Sequence, residues 1–326
     1  MVFYNRTEAI DKMNGLGSRG EAFVFFTDFL QQHTFIEKPA NISSSEFLYN
    51  LNGVTNEELN DESCPKVEWN AYPESFEEYE QSFLHVRKNI FAGNSFLTNL
   101  TCRTPVDTNL TLADIYRHSR AMYKLWLKDR FVVFSPEIFV RITDGYISSF
   151  PMKGTIDSTL PDAENILMAD EKEAAEHATI VDLIRNDLSM VAEQVSVNRY
   201  RYIDVLNTNN GKILQTSSEI CGKLSDGYSS RLGSIMFGML PAGSITGAPK
   251  KKTVEIILEA ETYERGFYTG VMGYFDGKNM DSGVMIRFVE QQDGRLFFKS
   301  GGGITHRSDA VSEYEEMKKK VYVPIY

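Results

Sequence analysis

No apolar run in the 326-residue chain approaches the roughly 20 residues that cross a bilayer as a helix. The opening residues, MVFYNRTEAIDKMNG, also lack the basic-then-apolar order of a secretory signal. A cytoplasmic location and no membrane partner are therefore expected. Cysteine is scarce: Cys64, Cys102 and Cys221 stand far apart, without CxxC spacing. That excludes a disulfide framework and a thiolate zinc site. Positive charge is in deficit, with 34 Lys and Arg against 45 Asp and Glu and a net charge of −11. General nucleic-acid binding needs a basic footprint, so no nucleic-acid partner is expected. Internal repeats and low-complexity segments are absent.

What remains is an ordinary globular composition, 42% hydrophobic and 24% charged, sufficient for a sizeable core. Strand-type runs recur as "AFVFFTDF", "RFVVFS", "EIFVRI", "GYISSF", "GVMGYF", "GVMIRFVE" and "RLFFKS". Helical spacing marks "SFEEYEQSFLHVRKNIF", which opens on a Ser75–Glu78 capping box. It also marks "TLADIYRHSRAMYKLW", "EKEAAEHATIVDLIRNDLSMVA" and "SDAVSEYEEMKKK". Strands often follow strands, which predicts an α+β fold with large, mostly antiparallel sheets. No linker divides the chain, so residues 1–326 read as one domain, with 40–72 as its loosest connection.

The segment "SPEIFVRITDGYISSFPMKGTI" reads as a hairpin turning at Asp144-Gly145. A two-residue turn pairs Thr143 with Tyr146, and so Glu137 with Met152. A three-residue loop pairs Glu137 with Lys153 on one face. Both registers are compatible with the sequence. An exposed Glu–Lys pair would contribute under about 1 kcal/mol; the alternative is the acid and the nucleophile of a site.

Glu173 and Glu176 share one helix face at i, i+3, and Glu313 and Glu316 share another, with Lys320 a turn beyond. Each pair alone reads as a solvated face. Together, facing one another, four carboxylates suit a hard cation with oxygen ligands, and Mg2+ is the natural choice without a His or Cys cluster. His177 reads as structural or as a neighbour of those ligands. The lysine clusters at 250–252 and 318–320 read as helix surface or as a local field for a small anion. "MLPAGSITGAPKKK" fails the Walker spacing but places backbone and hydroxyl donors before a helix, a geometry for an anion. Gly301, Gly302 and Gly303 read either as a flexible turn or as a place where a side chain would block a ligand. Arg287 alternates with apolar neighbours in a strand, so an inward guanidinium with an anionic partner is expected.

Eight stretches in order carry a resemblance: "GNSFLTNLTCR", "FSPEIFVRI", "FPMKGTI", "DEKEAAEHATIVDLIRNDLSMV", "PAGSITGAPK", "RGFYTGVMGYF", "MDSGVMIRFVE" and "GGGITHRSDAVSEYEEMKKK". Through them the chain resembles the chorismate-utilising enzymes from about residue 75 to the C-terminus, with about 1–70 divergent. The resemblance implies a single domain of two stacked antiparallel sheets with helices outside. Within the family, lysine in "PMKGT" marks the aminodeoxychorismate synthase branch, where anthranilate synthases carry a small residue. Isochorismate and salicylate synthases place a lysine base in the segment matching "FLTNLTCR", and Asn99 stands there. Gln215 stands where the family often has a histidine linked to pyruvate elimination. The tryptophan-binding motif of regulated members is not matched.

What the resemblance implies for chemistry is amination of chorismate at C4. Glu137 resembles the family's general acid and must stay protonated, which requires a raised pKa. Lys153 would be the covalent nucleophile and must be neutral, so burial, magnesium, Lys250 or Lys320 would have to lower it from about 10.4. Mg2+ on Glu173, Glu176, Glu313 and Glu316 would grip the ring carboxylate. Thr246, Tyr268, Arg287, Gly301, Gly302, Gly303 and Lys320 match substrate-binding positions, Arg287 facing the enolpyruvyl carboxylate. No glutaminase domain is recognisable in the chain, so ammonia is expected from a separate glutamine amidotransferase subunit.

Overall fold

The computed structural model describes residues 1–58, 65–208 and 211–325. Cys64 lies outside the described residues, and Cys102 and Cys221 are free thiols. Eight α-helices are described: α1 (Arg6–Ser18), α2 (Phe76–Phe91), α3 (Leu112–His118), α4 (Ala163–Ala169), α5 (Glu171–Ser189), α6 (Leu232–Gly238), α7 (Lys250–Ala260) and α8 (Ala310–Lys319). They cover two nine-stranded sheets.

The first sheet contains β1 (Phe23–Thr27), β2 (Thr34–Glu37), β9 (Ile138–Thr143), β10 (Tyr146–Ser149), β11 (Met152–Asp157), β12 (Glu193–Thr208), β13 (Gly211–Lys223), β15 (Val271–Phe275) and β16 (Met280–Val284). The second contains β3 (Phe47–Leu51), β4 (Val54–Thr55), β5 (Trp69–Ala71), β6 (Leu97–Thr108), β7 (Tyr123–Leu127), β8 (Phe131–Ser135), β14 (Gly247–Ala248), β17 (Phe288–Gln292) and β18 (Arg295–Ile304). All described pairings are antiparallel.

Side-chain alternation explains the layering. On β1, Val24 and Phe26 join a core between the sheets, with Phe47, Leu125, Phe131 and Phe288. Phe23 and Phe25 point the other way, into a core shared with α1, α5 and α6. On β8, Phe131 and Val133 face the intersheet core, while Val132 and Phe134 pack with α3. Both sheets are thus buried on both faces along their central strands, and each large apolar side chain contributes about 1.5–3 kcal/mol. The α+β sandwich expected from the sequence is the architecture found.

Three local expectations are corrected. "TLADIYRHSRAMYKLW" is not one helix: α3 ends at His118, Ser119 is extended, and Tyr123–Leu127 is a strand between β3 and β8. Burial in the sheet outweighs its helical spacing. "GVMIRFVE" is not one strand: β16 and β17 belong to different sheets, and the chain crosses at Met285–Arg287, with Arg287 at φ 55°. Gly301, Gly302 and Gly303 form no turn; they lie inside β18, opposite Thr101, Leu100 and Asn99.

The hairpin adopts the two-residue register, Thr143 opposite Tyr146, with Asp144 and Gly145 both left-handed. Its ladder stops at Arg141–Ser148, and β11 pairs with β13 instead. Glu137 and Lys153 are therefore not cross-strand partners.

Candidate active site

A cavity of about 700 Å³ opens where the two sheets meet α5. Glu137 enters it from the start of β9, Lys153 from β11 and Glu176 from α5. Arg287, Tyr268, Gly301, Gly302, Gly303, Lys320 and Asn99 line it from the crossover and the second sheet's side. Sequence positions 150 residues apart thus share one space. Thr246 is not on its wall; it is fully buried, and its Oγ1 has no hydrogen-bond partner. The backbone oxygen of Thr246 accepts from Asn99 N at 2.9 Å.

Glu137 is held on three sides. Its N–H donates to Ser135 Oγ at 3.1 Å, its carbonyl accepts from Val284 N at 3.0 Å, and Oε1 accepts from Ser244 Oγ at 2.6 Å. Burial pushes the carboxyl above the ordinary glutamate value, against the pull of Ser244, Arg287 and Lys320. That direction suits an acid that must keep its proton.

Lys153 behaves otherwise than the sequence led us to expect. Its Nζ lies 2.7 Å from Glu176 Oε2. Burial alone would push the amine down, but Glu176, Glu173 and Glu316 outweigh it and hold Lys153 above the usual lysine value. Lys250 does not depress it. That side chain is engaged by Asp187 at 2.8 Å and by Met239 O at 2.5 Å.

Glu176, Glu173 and Glu316 act on Lys153, while Glu316 and Glu313 lie near Lys320; of the four glutamates only Glu176 lines the cavity. Lys320 bridges Glu316 and Gly301 O, each at 2.8 Å. Burial would raise Glu316, but Lys320, Lys153 and Lys172 hold it below its ordinary value. Burial raises Glu173 and Glu313, and neighbouring carboxylates add to it. Among the described residues, no three acidic, His or Cys side chains converge closely enough to hold a cation as they stand. The donor chemistry nevertheless fits a hard divalent ion. All four side chains offer oxygen, and Glu173 Oε2 is buried with no hydrogen-bond partner. A Cβ at Gly302 would stand 3.3 Å from Glu313 Oε2 and 3.6 Å from Lys320 Nζ.

Other expectations resolve in place. Arg287 is half-buried at the crossover, donates to Lys320 O at 3.2 Å and stands over the Tyr322 ring. His177 is fully buried, with Nε2 2.6 Å from Ser218 Oγ, and ties α5 to β13. Gln215 sits opposite Thr155, away from the cavity wall, with its Oε1 buried and without a partner. Sequence reasoning missed Ser244 as the partner of Glu137, and Lys172, which lies 3.8 Å from Glu176. Ser244 was visible only as one hydroxyl in an anion-type loop, and Lys172 only as one residue of the stretch "DEKEAAEH", where the glutamates drew the reading.

The two-sheet sandwich thus brings a buried acid, an amine and one carboxylate of the glutamate pairs, Glu176, to one cavity. The chain matches the model of chorismate binding enzymes over residues 18–325, and it belongs to that family. It is 48% identical over 316 residues to an uncharacterized PabA-like protein of Haemophilus influenzae, covering 97% of this chain and 96% of the relative. It is 31% identical over 304 residues to aminodeoxychorismate synthase component 1 of Bacillus subtilis, covering 88% of this chain but 63% of the relative. The crystal structure of anthranilate synthase component I from Streptococcus pneumoniae superposes with a TM-score of 0.64 at 27% identity, over 80% of this chain and 60% of that one. No described helix is long and apolar enough to cross a membrane.

Proposed function

We propose that this protein aminates chorismate at C4 with ammonia to give 4-amino-4-deoxychorismate, the aminodeoxychorismate synthase reaction, with ammonia supplied by a separate glutamine amidotransferase. The observation that carries this reading is the Lys153 amine lining the cavity, paired with Glu176, with the raised acid Glu137 lining the same cavity. A small residue at position 153 would leave that space to ammonia alone.

In the proposed sequence Lys153 first passes a proton to Glu176 and leaves it. Its nitrogen then adds at C2 of the ring, the two ring double bonds shift, and the C4 hydroxyl departs as water, taking the proton of Glu137. Ammonia attacks C4, the double bonds shift back, and the C2–N bond breaks to regenerate Lys153. Arg287 and Lys320 offer cationic donors to the substrate carboxylates, and Gly301 to Gly303 keep that wall free of side chains. Glu173, Glu176, Glu313 and Glu316 would hold Mg2+, which would offset their charge toward the anionic substrate.

The test is turnover of chorismate with Mg2+ and either glutamine or an ammonium salt. Ammonium should support product, detected as 4-aminobenzoate after a coupled lyase, and glutamine alone should not. Turnover with glutamine alone would remove the separate amidotransferase. A second reading, anthranilate formation, is favoured by the likeness to anthranilate synthase component I at 27% identity, close to the 31% for the aminodeoxychorismate relative. Fluorescent anthranilate without added lyase would establish it instead.

A further inference from the structure

We propose that Ser244 is a positioning residue for Glu137: its hydroxyl occupies Oε1 and thereby assigns the acidic proton to Oε2, the oxygen left for the cavity. The inference rests on the reading of Glu137 as the general acid. The Glu137 backbone is fixed at both ends, through Ser135 Oγ and Val284 N, so the side chain is the remaining freedom. Ser244 Oγ removes it, at 2.6 Å from Oε1. A carboxylate can only accept, so the hydroxyl must donate to it. When the group protonates, the proton enters at the oxygen that is not already accepting. A carboxyl without this contact would share its proton between two oxygens and two orientations.

The Ser244 turn is itself anchored. Ser244 lies in the short 3-10 turn Gly243–Ile245, against α5. A Cβ at Gly243 would stand 2.8 Å from Asp187 Oδ2, and the Gly243 N–H donates to that carboxylate. Asp187 is paired with Lys250 at 2.8 Å, and Lys250 donates to Met239 O at 2.5 Å. Asp187 follows Glu176 on α5 by about three turns. One helix therefore references both Glu176, the carboxylate paired with Lys153, and the hydroxyl that orients the acid. The charged groups acting on Glu137 itself are Arg287 and Lys320. Both favour its carboxylate form, as the Ser244 hydrogen bond does.

The test follows the carbonyl band of protonated Glu137 by infrared difference spectroscopy across pH, with the band identified by its loss in Glu137→Gln. In Ser244→Ala the band should persist to higher pH, by about one pH unit, a roughly tenfold gain in proton affinity. Ser244→Thr, which keeps the hydroxyl, should titrate as wild type does. In parallel, kcat with chorismate, Mg2+ and an ammonium salt should fall roughly 10- to 100-fold in Ser244→Ala. KM for chorismate should stay within about twofold, and threonine should restore kcat. An unmoved infrared titration in Ser244→Ala, or a change in KM alone, overturns the proposal. If wild type does not aminate chorismate at all, the functional reading fails, and the infrared titration still decides the role of Ser244.

Discussion

Lys153 and Glu176 are joined Nζ to Oε2 at 2.7 Å, an ion pair that links β11 to α5 at the cavity. A divalent cation held by Glu176 would compete with the lysine for that carboxylate. Lys153→Met should abolish amination and raise the affinity for Mg2+ roughly three- to tenfold, because Glu176 loses its paired cation. Isothermal titration with Mg2+ checks the second effect. Unchanged or weaker Mg2+ binding would show that Glu176 is not a ligand.

Burial raises Glu137 and so favours its neutral form, while the carboxylates beside Lys153 outweigh its burial and favour the ammonium. The proposed reactive pair, a neutral acid and a neutral amine, therefore requires the ammonium to give up a proton. The profile of kcat/KM should rise with pH as Lys153 loses its proton and fall as Glu137 loses its own. Glu137→Gln should lose about 10²–10⁴ in kcat, and its residual activity should lack the falling limb. A falling limb surviving in that variant would assign it to another group.

Two neighbouring glycines should respond differently to alanine. At Gly302 the new Cβ meets Glu313 Oε2 at 3.3 Å and Lys320 Nζ at 3.6 Å, both at the ends of side chains that can give. Gly302→Ala should weaken chorismate binding roughly tenfold and leave thermal stability within a few degrees. At Gly301 the new Cβ falls 2.2 Å from Leu100 O, which is backbone of β6. Gly301→Ala should lower stability by about 1–3 kcal/mol in urea denaturation.

Arg265 anchors the region under the cavity without touching it. It is buried against Glu261 at 2.6 Å and donates to Asn99 O at 2.7 Å and Ile245 O at 3.0 Å. Arg265→Met would leave the Glu261 carboxylate buried without its partner. A loss of about 3–5 kcal/mol in chemical denaturation is expected. A smaller loss would mean that Thr101 and Tyr263, which also hold that corner, suffice for Glu261.

Much of the molecule was legible because local chemistry specified it. Asp144-Gly145 required a turn with two left-handed residues and received one. The cap at Ser75 placed α2, helical spacing placed α8, and the i, i+3 spacing put each glutamate pair on one face. The helix α1 was missed, although Asn5 and Glu8 form a capping box there. Gly15 and Gly17 weaken its helical pattern, and Gly17 is needed because a Cβ would fall 2.1 Å from Ser229 O. The crossover at Arg287 escaped because apolar residues continue through it, so the side-chain pattern is unbroken where the backbone turns. The partners of Lys153, Glu137 and Lys250 could not be read at all. They depend on how α5 packs across the first sheet, over distances that spacing along the chain does not encode.

The central claim is that the Lys153 nitrogen bonds transiently to the ring. Intact-mass measurement after mixing with chorismate and Mg2+, with every amine donor withheld, tests it most directly. The account predicts a mass gain of chorismate less one water, mapped by peptide digestion to Lys153 and absent from Lys153→Ala. An unmodified protein under conditions where added ammonium gives immediate turnover, together with an active Lys153→Ala variant, would contradict it.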